Sequence, residues 1–217
     1  LSVYQQAFNP DKPFLAFRRE RVQRVKIARD ATAYEAMEKG AGKTDALFFC
    51  LLHEYLSVPG GLYENRYVDP LINTFAGERS FLKFEFEEKG TPGSFTRKFP
   101  SVFWKHSESR EDIPSTQLDP IENFELVREA VRESFGMELD ERLFQQQMET
   151  VNAYTDEFAN LLGILRPGAA FLTSYYHMIG MSLIKASRRL GIPSVDLQHG
   201  AQSMHPFYSP LGLVPDG

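Results

Sequence analysis

The sequence predicts an α/β fold with a mostly parallel sheet, and three segments carry that prediction. A continuous apolar run at 45–52 is typical of a strand that is buried on both faces. Further along the chain, an apolar segment at 169–176, an amphipathic segment at 177–190 and a second apolar segment at 192–197 follow one another. This succession predicts a strand, a helix and a strand, with the two strands parallel and joined by a right-handed crossover.

The composition is that of a globular protein with one domain, or with one domain and a small appendage. The 217 residues are enough to bury a core, and the net charge of −5 gives no reason to expect nucleic acid as a partner. Cys50 is the only cysteine, which excludes an internal disulfide and fits a reducing compartment. No apolar run reaches the roughly 20 residues that a membrane span needs, and the first residues lack a signal-peptide layout. The sequence therefore predicts a cytoplasmic location.

Residues 1–40 form a basic segment that we expect to be helical and to precede the α/β domain. From Arg18 to Arg29 there are six basic residues and one acidic residue, interspersed with Val22, Val25 and Ile27. Such a helix can be solvated or can pack by its valine face on the main domain, or it can make peripheral contact with an anionic membrane surface. The first two possibilities are favoured over membrane contact, because the segment lacks the large apolar anchors of interfacial helices.

The first half of the α/β region contains a loop, a helix and a strand. Pro59-Gly60-Gly61 indicates the loop. Asp69 as N-cap and Pro70 at the first helical position predict the helix. The segment 80–88 alternates apolar and charged residues, which predicts a strand with one exposed face near a sheet edge.

The middle of the chain is predicted to be helical. Asp119 as N-cap and Pro120 at the first helical position predict a helix that ends at Gly136. A longer helix is predicted over 140–165, and its apolar stripe is interpreted as core. The stripe consists of Leu143, Phe144, Met148, Val151, Tyr154, Phe158, Leu161 and Leu162.

Polar residues follow three of the predicted strands. Ligands of open parallel sheets bind outside the carboxyl ends of the strands, so these residues are candidates for a site. Three of the five histidines have this placement. The residues concerned are His53 and Glu54 after the first strand, Ser174 and His177 after the second, and Gln198 and His199 after the third.

His199 is the strongest candidate for a catalytic residue. A histidine titrates near neutrality and can take a proton from a hydroxyl group. Gly200 permits a tight turn or a close approach of the backbone to a ligand, and Gln198 can donate and accept hydrogen bonds. The alternative is that His199 only bonds a loop carbonyl, and spacing alone does not decide between the two. His205 follows in the same loop without a nearby cysteine, so a metal site has no support.

The segment "RRLGIPSVDLQHGAQSMHPFYSPLGLVPDG" resembles part of the bacterial glycosyltransferases of surface and capsular polysaccharide biosynthesis. In that family a strand often ends in a glutamine-histidine-glycine turn that is followed by His-Pro and an aromatic residue. The segments "DALFFC" and "GGLYENRYVDPLINTF" are similar to the beginning of the family's N-terminal domain. The resemblance implies a Rossmann-like three-layer domain, preceded here by the N-terminal helix, as one half of a two-domain GT-B fold.

The resemblance also implies a function. Residues 41–208 would be the acceptor-side domain, and 209–217 would be a linker toward a missing second domain. His199 would be the catalytic base, and the acceptor site would be lined by Gln198, Gly200, His177, Glu54, His53, Ser174 and His205. The acceptor would be a glycan or a lipid-linked glycan at the inner face of the membrane. This chain would bind no cofactor and no metal, and the full enzyme would use a nucleotide-sugar donor. The alternatives are a non-catalytic α/β binding or interaction domain, and half of a nucleotide-sugar epimerase-like enzyme.

Overall fold

The structure is a computed structural model that describes residues 21–29, 44–51, 54–75, 77–86, 96–99, 101–104, 106–114, 118 and 120–197. The chain divides into two units, one of 1–26 with 109–150 and the other of 27–108 with 151–217. The described strands are β1 (Arg21–Arg29), β2 (Ala46–Leu51), β3 (Tyr55–Val58), β4 (Leu62–Asn65), β5 (Phe81–Phe86), β6 (Thr96–Arg97), β7 (Ser101–Trp104), β8 (His106–Pro114), β9 (Ala169–Leu172) and β10 (Ser194–Asp196). The described helices are α1 (Val68–Phe75), α2 (Phe124–Phe135), α3 (Glu141–Leu165) and α4 (Met178–Arg189).

The second unit contains a parallel five-stranded sheet in the order β10-β9-β2-β5-β7. Counted along the chain, β2, β5 and β7 extend to one side of the sheet, and β9 and β10 extend to the other. This order, 3-2-1-4-5 in chain order, is that of the first five strands of a doubly wound Rossmann fold, and it reverses between β2 and β9. The prediction of a Rossmann-like three-layer α/β fold is therefore confirmed, and so is the parallel pair β9–β10 joined through α4.

The two faces of the sheet are covered by different helices. On one face, α4 and the second half of α3 pack against the sheet through Leu47, Phe49, Leu51, Phe84, Tyr154, Phe158, Leu161, Leu162, Leu165, Leu172, Leu183 and Ala186. On the other face, α1 packs by Val68 and Ile72 against Phe48 and Cys50 of β2. Because both sets of β2 side chains are buried, the prediction of a strand buried on both faces is confirmed.

Strand β5 lies inside the sheet, between β2 and β7. The expectation of an exposed face near a sheet edge is wrong, because Lys83 and Glu85 both have 0% of their surface exposed. Alternation of apolar and charged residues indicates a strand, but it does not distinguish a solvated charge from a buried charge that is paired.

Residues 21–29 form strand β1 rather than the expected helix, and this strand pairs with β8. Val22, Val25 and Ile27 are β-branched residues that suit a strand. Residues 21–29 form a strand rather than a helix because β8 supplies hydrogen-bond partners, which sequence propensity does not reveal. Peripheral contact of the segment Arg18–Arg29 with a membrane stays a prediction. The amphipathic helix that motivated it is not formed by residues 21–29.

Smaller elements surround the parallel sheet in the second unit. Strands β3 and β4 form an antiparallel hairpin, and β4 also pairs in parallel with β6. The hairpin turn is the predicted Pro59-Gly60-Gly61 loop, where both glycines have positive φ angles of 89° and 73°. Such a turn favours glycine, which has no Cβ to clash in this conformation.

The helices lie where the sequence predicts them, but two of the predicted N-caps are wrong. The Asn65 side chain, rather than that of Asp69, accepts hydrogen bonds from the Tyr67 and Val68 amides at the start of α1. Helix α2 begins after Asn123 rather than Asp119, and it ends at Gly136 as predicted. The first half of the predicted α3 stripe is also corrected in part, since Phe144 and Met148 are exposed.

One negative finding concerns membranes. Among the helices in the described part of the chain, none has both the length and the apolar character that a membrane crossing requires.

Candidate functional site

The candidate site lies at the carboxyl ends of β2 and β9, the neighbouring strands between which the strand order reverses. Glu54 follows the end of β2 by three residues, and Thr173 and Ser174 follow β9 directly. In doubly wound folds this position is the crevice in which ligands bind. The structure thus places Glu54 and Ser174, two of the predicted site residues, at the ends of adjacent strands.

Glu54 connects three elements through its carboxylate and is only 1% exposed. One carboxylate oxygen accepts hydrogen bonds from the Leu51 amide at 3.2 Å and from Asn65 Nδ2 at 3.1 Å. The other oxygen accepts a hydrogen bond from the hydroxyl of Thr173. Glu54 therefore holds the ends of β2, β4 and β9 together, and its contacts are those of a positioning group rather than of a group that touches a ligand.

The turn between β9 and α4 has a fixed shape. His177 is the N-cap of α4, and its Nδ1 accepts a hydrogen bond from the Gly180 amide at 3.0 Å. A Cβ on Gly180 would lie 2.2 Å from the Ser174 carbonyl oxygen, so no larger residue fits there without a backbone shift. Because Nδ1 is the acceptor, the proton of the neutral imidazole is on Nε2, which is then the donor atom of His177.

A set of buried charged groups lies on the α1 face of the sheet. The ammonium group of Lys83 donates to Asp69 at 2.6 Å, with both side chains fully buried. Glu85 accepts hydrogen bonds from Arg97 Nε at 2.7 Å and from the hydroxyl of Tyr55. Sequence reasoning missed this set, although two charged residues inside one strand were the signal that could have revealed it.

Hydrogen bonds connect these charges to the candidate site. Besides its ion pair with Lys83, Asp69 accepts a hydrogen bond from the backbone amide of Asn65 at 3.0 Å. Asn65 in turn donates from its side chain to Glu54, which is bonded to Thr173. A continuous path of polar contacts therefore runs from the middle of β5 to the first residue after β9.

Burial changes the protonation chemistry of this face. Burial raises the pKa of Asp69 above its ordinary value, and the neighbouring Lys83 offsets part of that rise. Burial also raises the pKa of Tyr55, with additional contributions from Cys50 and Glu85. The pKa of the buried Cys50 thiol is likewise raised, so Cys50 stays a protonated thiol rather than a nucleophile.

Several predicted site residues lie outside the described residues. These residues are His53, Gln198, His199, Gly200 and His205. The last residue described before Gln198 is Leu197, whose amide donates to the Leu172 carbonyl at the end of β9. Within the described ranges, no group of three histidine, cysteine, aspartate or glutamate side chains is arranged to hold a metal ion.

Comparison with known proteins adds no assignment to this edge of the sheet. No protein-family model, no curated protein and no solved structure matches the chain. The function is therefore inferred from the strand order and from the side chains that follow β2 and β9.

Proposed function

We propose that this chain is the acceptor-binding half of a bacterial GT-B-like glycosyltransferase, which moves a sugar from a nucleotide-sugar to a surface-glycan acceptor. The observation that supports the proposal is the reversal of strand order between β2 and β9, with Ser174 and His177 in the segment that joins β9 to α4. Ligands of such sheets bind at this point. The sequence Gln198-His199-Gly200, which carries the resemblance to that family, follows β10 in the chain, and β10 is the neighbour of β9.

In the proposed reaction His199 is the base. It takes the proton from an acceptor hydroxyl while the oxygen of that hydroxyl forms a bond to C1 of the donor sugar. The bond between C1 and the diphosphate oxygen breaks, and the nucleoside diphosphate leaves with the electron pair. A second domain would hold the donor, and the protein would work in the cytoplasm at the inner face of the membrane.

The predicted binding residues have supporting roles in this proposal. Ser174 and the Nε2 donor of His177 bind acceptor hydroxyls, together with His53, Gln198, Gly200 and His205. Glu54 acts through Thr173, to which its carboxylate is bonded, and it keeps the β9–α4 turn in place. The reaction uses side chains of the protein for proton transfer, and it draws no step from a metal.

The test is sugar transfer by the protein that contains this chain, measured as release of nucleoside diphosphate from UDP- and GDP-linked sugars in the presence of membrane glycans. We expect His199→Ala to lower the rate by about 10²- to 10⁴-fold, the usual contribution of a general base. His106→Ala is the matched control, because His106 lies in β8, outside the parallel sheet. An unchanged rate in His199→Ala would contradict the base role of His199. No transfer from any donor by the unaltered protein would contradict the proposal and favour a binding domain.

A further inference from the structure

The turn after β9 also holds an exposed aromatic side chain, that of Tyr176, which is 41% exposed. The rings of Tyr175 and Tyr176 meet edge to face, with centroids 5.8 Å apart and an interplanar angle of 80°. The ring of His177 stands at 77° to that of Tyr176, with centroids 6.5 Å apart. Three consecutive aromatic residues therefore follow the buried Ser174 at the carboxyl edge of the sheet.

The backbone that carries Tyr176 is held at both ends. On one side, Thr173 is bonded to Glu54. On the other side, the His177 cap and the close approach of Gly180 to Ser174 fix the first turn of α4. Binding of a ligand to Tyr176 therefore requires little ordering of the protein backbone, which lowers the entropic cost of binding.

The charge of this segment narrows the class of ligand. From 169 to 184 the sequence contains no lysine, arginine, aspartate or glutamate. A nucleotide that stacked on Tyr176 would find no cationic side chain in this segment for its phosphates. A neutral ligand with an apolar face and a polar rim fits the segment better.

We propose that Tyr176 is a stacking platform for a pyranose ring of the acceptor. One face of a pyranose presents C–H groups, which pack on an aromatic ring, while its hydroxyl groups project outward from the rim. His177, which follows Tyr176 directly and is partly exposed, can bond those hydroxyl groups. Met178 and Met181, both exposed in the first turn of α4, follow Tyr176 within five residues of the chain. This inference rests on the proposed function, and it names the residue that binds the sugar.

The test is saturation-transfer NMR on the whole 217-residue chain. The probes are the methyl pyranosides of glucose, galactose, mannose and N-acetylglucosamine, with UMP as the stacking competitor of another class. We expect ring protons of at least one glycoside to receive saturation, and Tyr176→Ala to weaken that binding about fivefold. Tyr176→Phe keeps the ring and is expected to bind as the unaltered chain does. Phe135→Ala is the matched control, since it removes an exposed aromatic from α2.

Three results would overturn the stacking platform. They are an absence of saturation transfer to every glycoside, equal binding by Tyr176→Ala and the unaltered chain, and a preference for UMP. Thermal unfolding of each variant verifies that it is folded. Failure of the proposed function is separate: if His199→Ala transfers sugar normally while glycosides still bind through Tyr176, only the base role of His199 is refuted.

Discussion

The two faces of the parallel sheet differ in whether they bury charged residues. The face under α3 and α4 is packed by leucine and aromatic side chains, among them Phe49, Phe84 and Phe158. The α1 face also contains buried apolar residues, but Lys83 and Glu85 are buried there as well. An apolar face tolerates rearrangement as long as volume is conserved, whereas a buried charge requires a partner at a defined position. The difference indicates that the α1 face determines geometry, while the α3–α4 face supplies most of the hydrophobic burial.

Hydrogen bonds connect the buried charges of the α1 face to the candidate site. The Asp69 carboxylate accepts a hydrogen bond from the backbone amide of Asn65, and the Asn65 side chain donates a hydrogen bond to Glu54. Glu54 is bonded to Thr173, immediately before the turn that contains Tyr176 and His177. Replacing a buried ion pair with apolar residues is often neutral for stability, so we infer that these charges position the turn rather than stabilise the fold.

The largest effect is expected when one charge of the α1 face loses its partner. Lys83→Met leaves Asp69 buried without its ion pair, and we expect the free energy of unfolding in urea to fall by about 3–5 kcal/mol. Lys83→Met combined with Asp69→Asn removes both charges and should recover most of this loss. The matched control is Lys98→Met, since the ion pair of Lys98 with Glu64 is partly exposed and its loss should cost about 0–1 kcal/mol. Equal losses in Lys83→Met and Lys98→Met would show that breaking the buried ion pair costs no more stability than breaking the partly exposed one.

The pH dependence of Lys83→Met provides an effect of intermediate size. Burial raises the pKa of Asp69 above its ordinary 3.8, and removal of Lys83 lets that pKa rise further. A carboxyl group whose folded pKa is raised contributes most stability below its unfolded pKa, and this contribution is lost as pH rises through the folded pKa. The loss in the free energy of unfolding caused by Lys83→Met should therefore become smaller as pH falls toward about 4. The decrease should be about 1.4 kcal/mol for each unit by which the substitution raises the pKa of Asp69.

The control for that prediction is the double variant with Asp69→Asn, which has no titrating group at position 69. Its difference from the unaltered protein should not follow this pH trend. A cost of Lys83→Met that stays constant from neutral pH to about pH 4, or that grows on acidification, contradicts the account of Asp69.

The smallest effect concerns a hydrogen bond to the other buried carboxylate. Tyr55→Phe removes the hydroxyl that donates to Glu85, while the Arg97 hydrogen bonds remain. Because burial raises the pKa of Tyr55, the hydroxyl stays protonated as a donor through the neutral pH range. We expect a loss of about 1–2 kcal/mol in the free energy of unfolding. In the Glu85→Gln background the same change should cost a different amount, and strict additivity would refute direct coupling between the two side chains.

Elements with a strong local pattern were predictable from the sequence. The apolar run of β2, the long helix α3 and the succession β9–α4–β10 lie within the predicted segments, although β9 ends at Leu172 rather than at residue 176. The residues 21–29 were not predictable in this way, because the choice of strand over helix came from pairing with β8. The first residues of α1 and α2 were also missed, since each N-cap depends on which polar side chain turns back to the helix amides.

The candidate site was predictable only in part. The sequence placed Glu54, Ser174 and His177 after strands, because strand ends follow from local apolar runs. The partners of Glu54 were not apparent: Asn65 is 11 residues away and Thr173 is 119 residues away along the chain. His53, His199 and the residues around His199 stay predictions, since they lie outside the described residues.

Local patterns in the chain were sufficient for the α/β class, for the parallel βαβ unit and for the edge of the sheet that carries the candidate site. The assembled fold was needed to show that Lys83 and Glu85 are buried, and that a path of hydrogen bonds connects Lys83 to the turn after β9. The physical reason is the range of the interactions. Periodicity and capping act within a few residues, whereas the burial of a charge depends on partners that only the packing of distant segments brings within bonding distance.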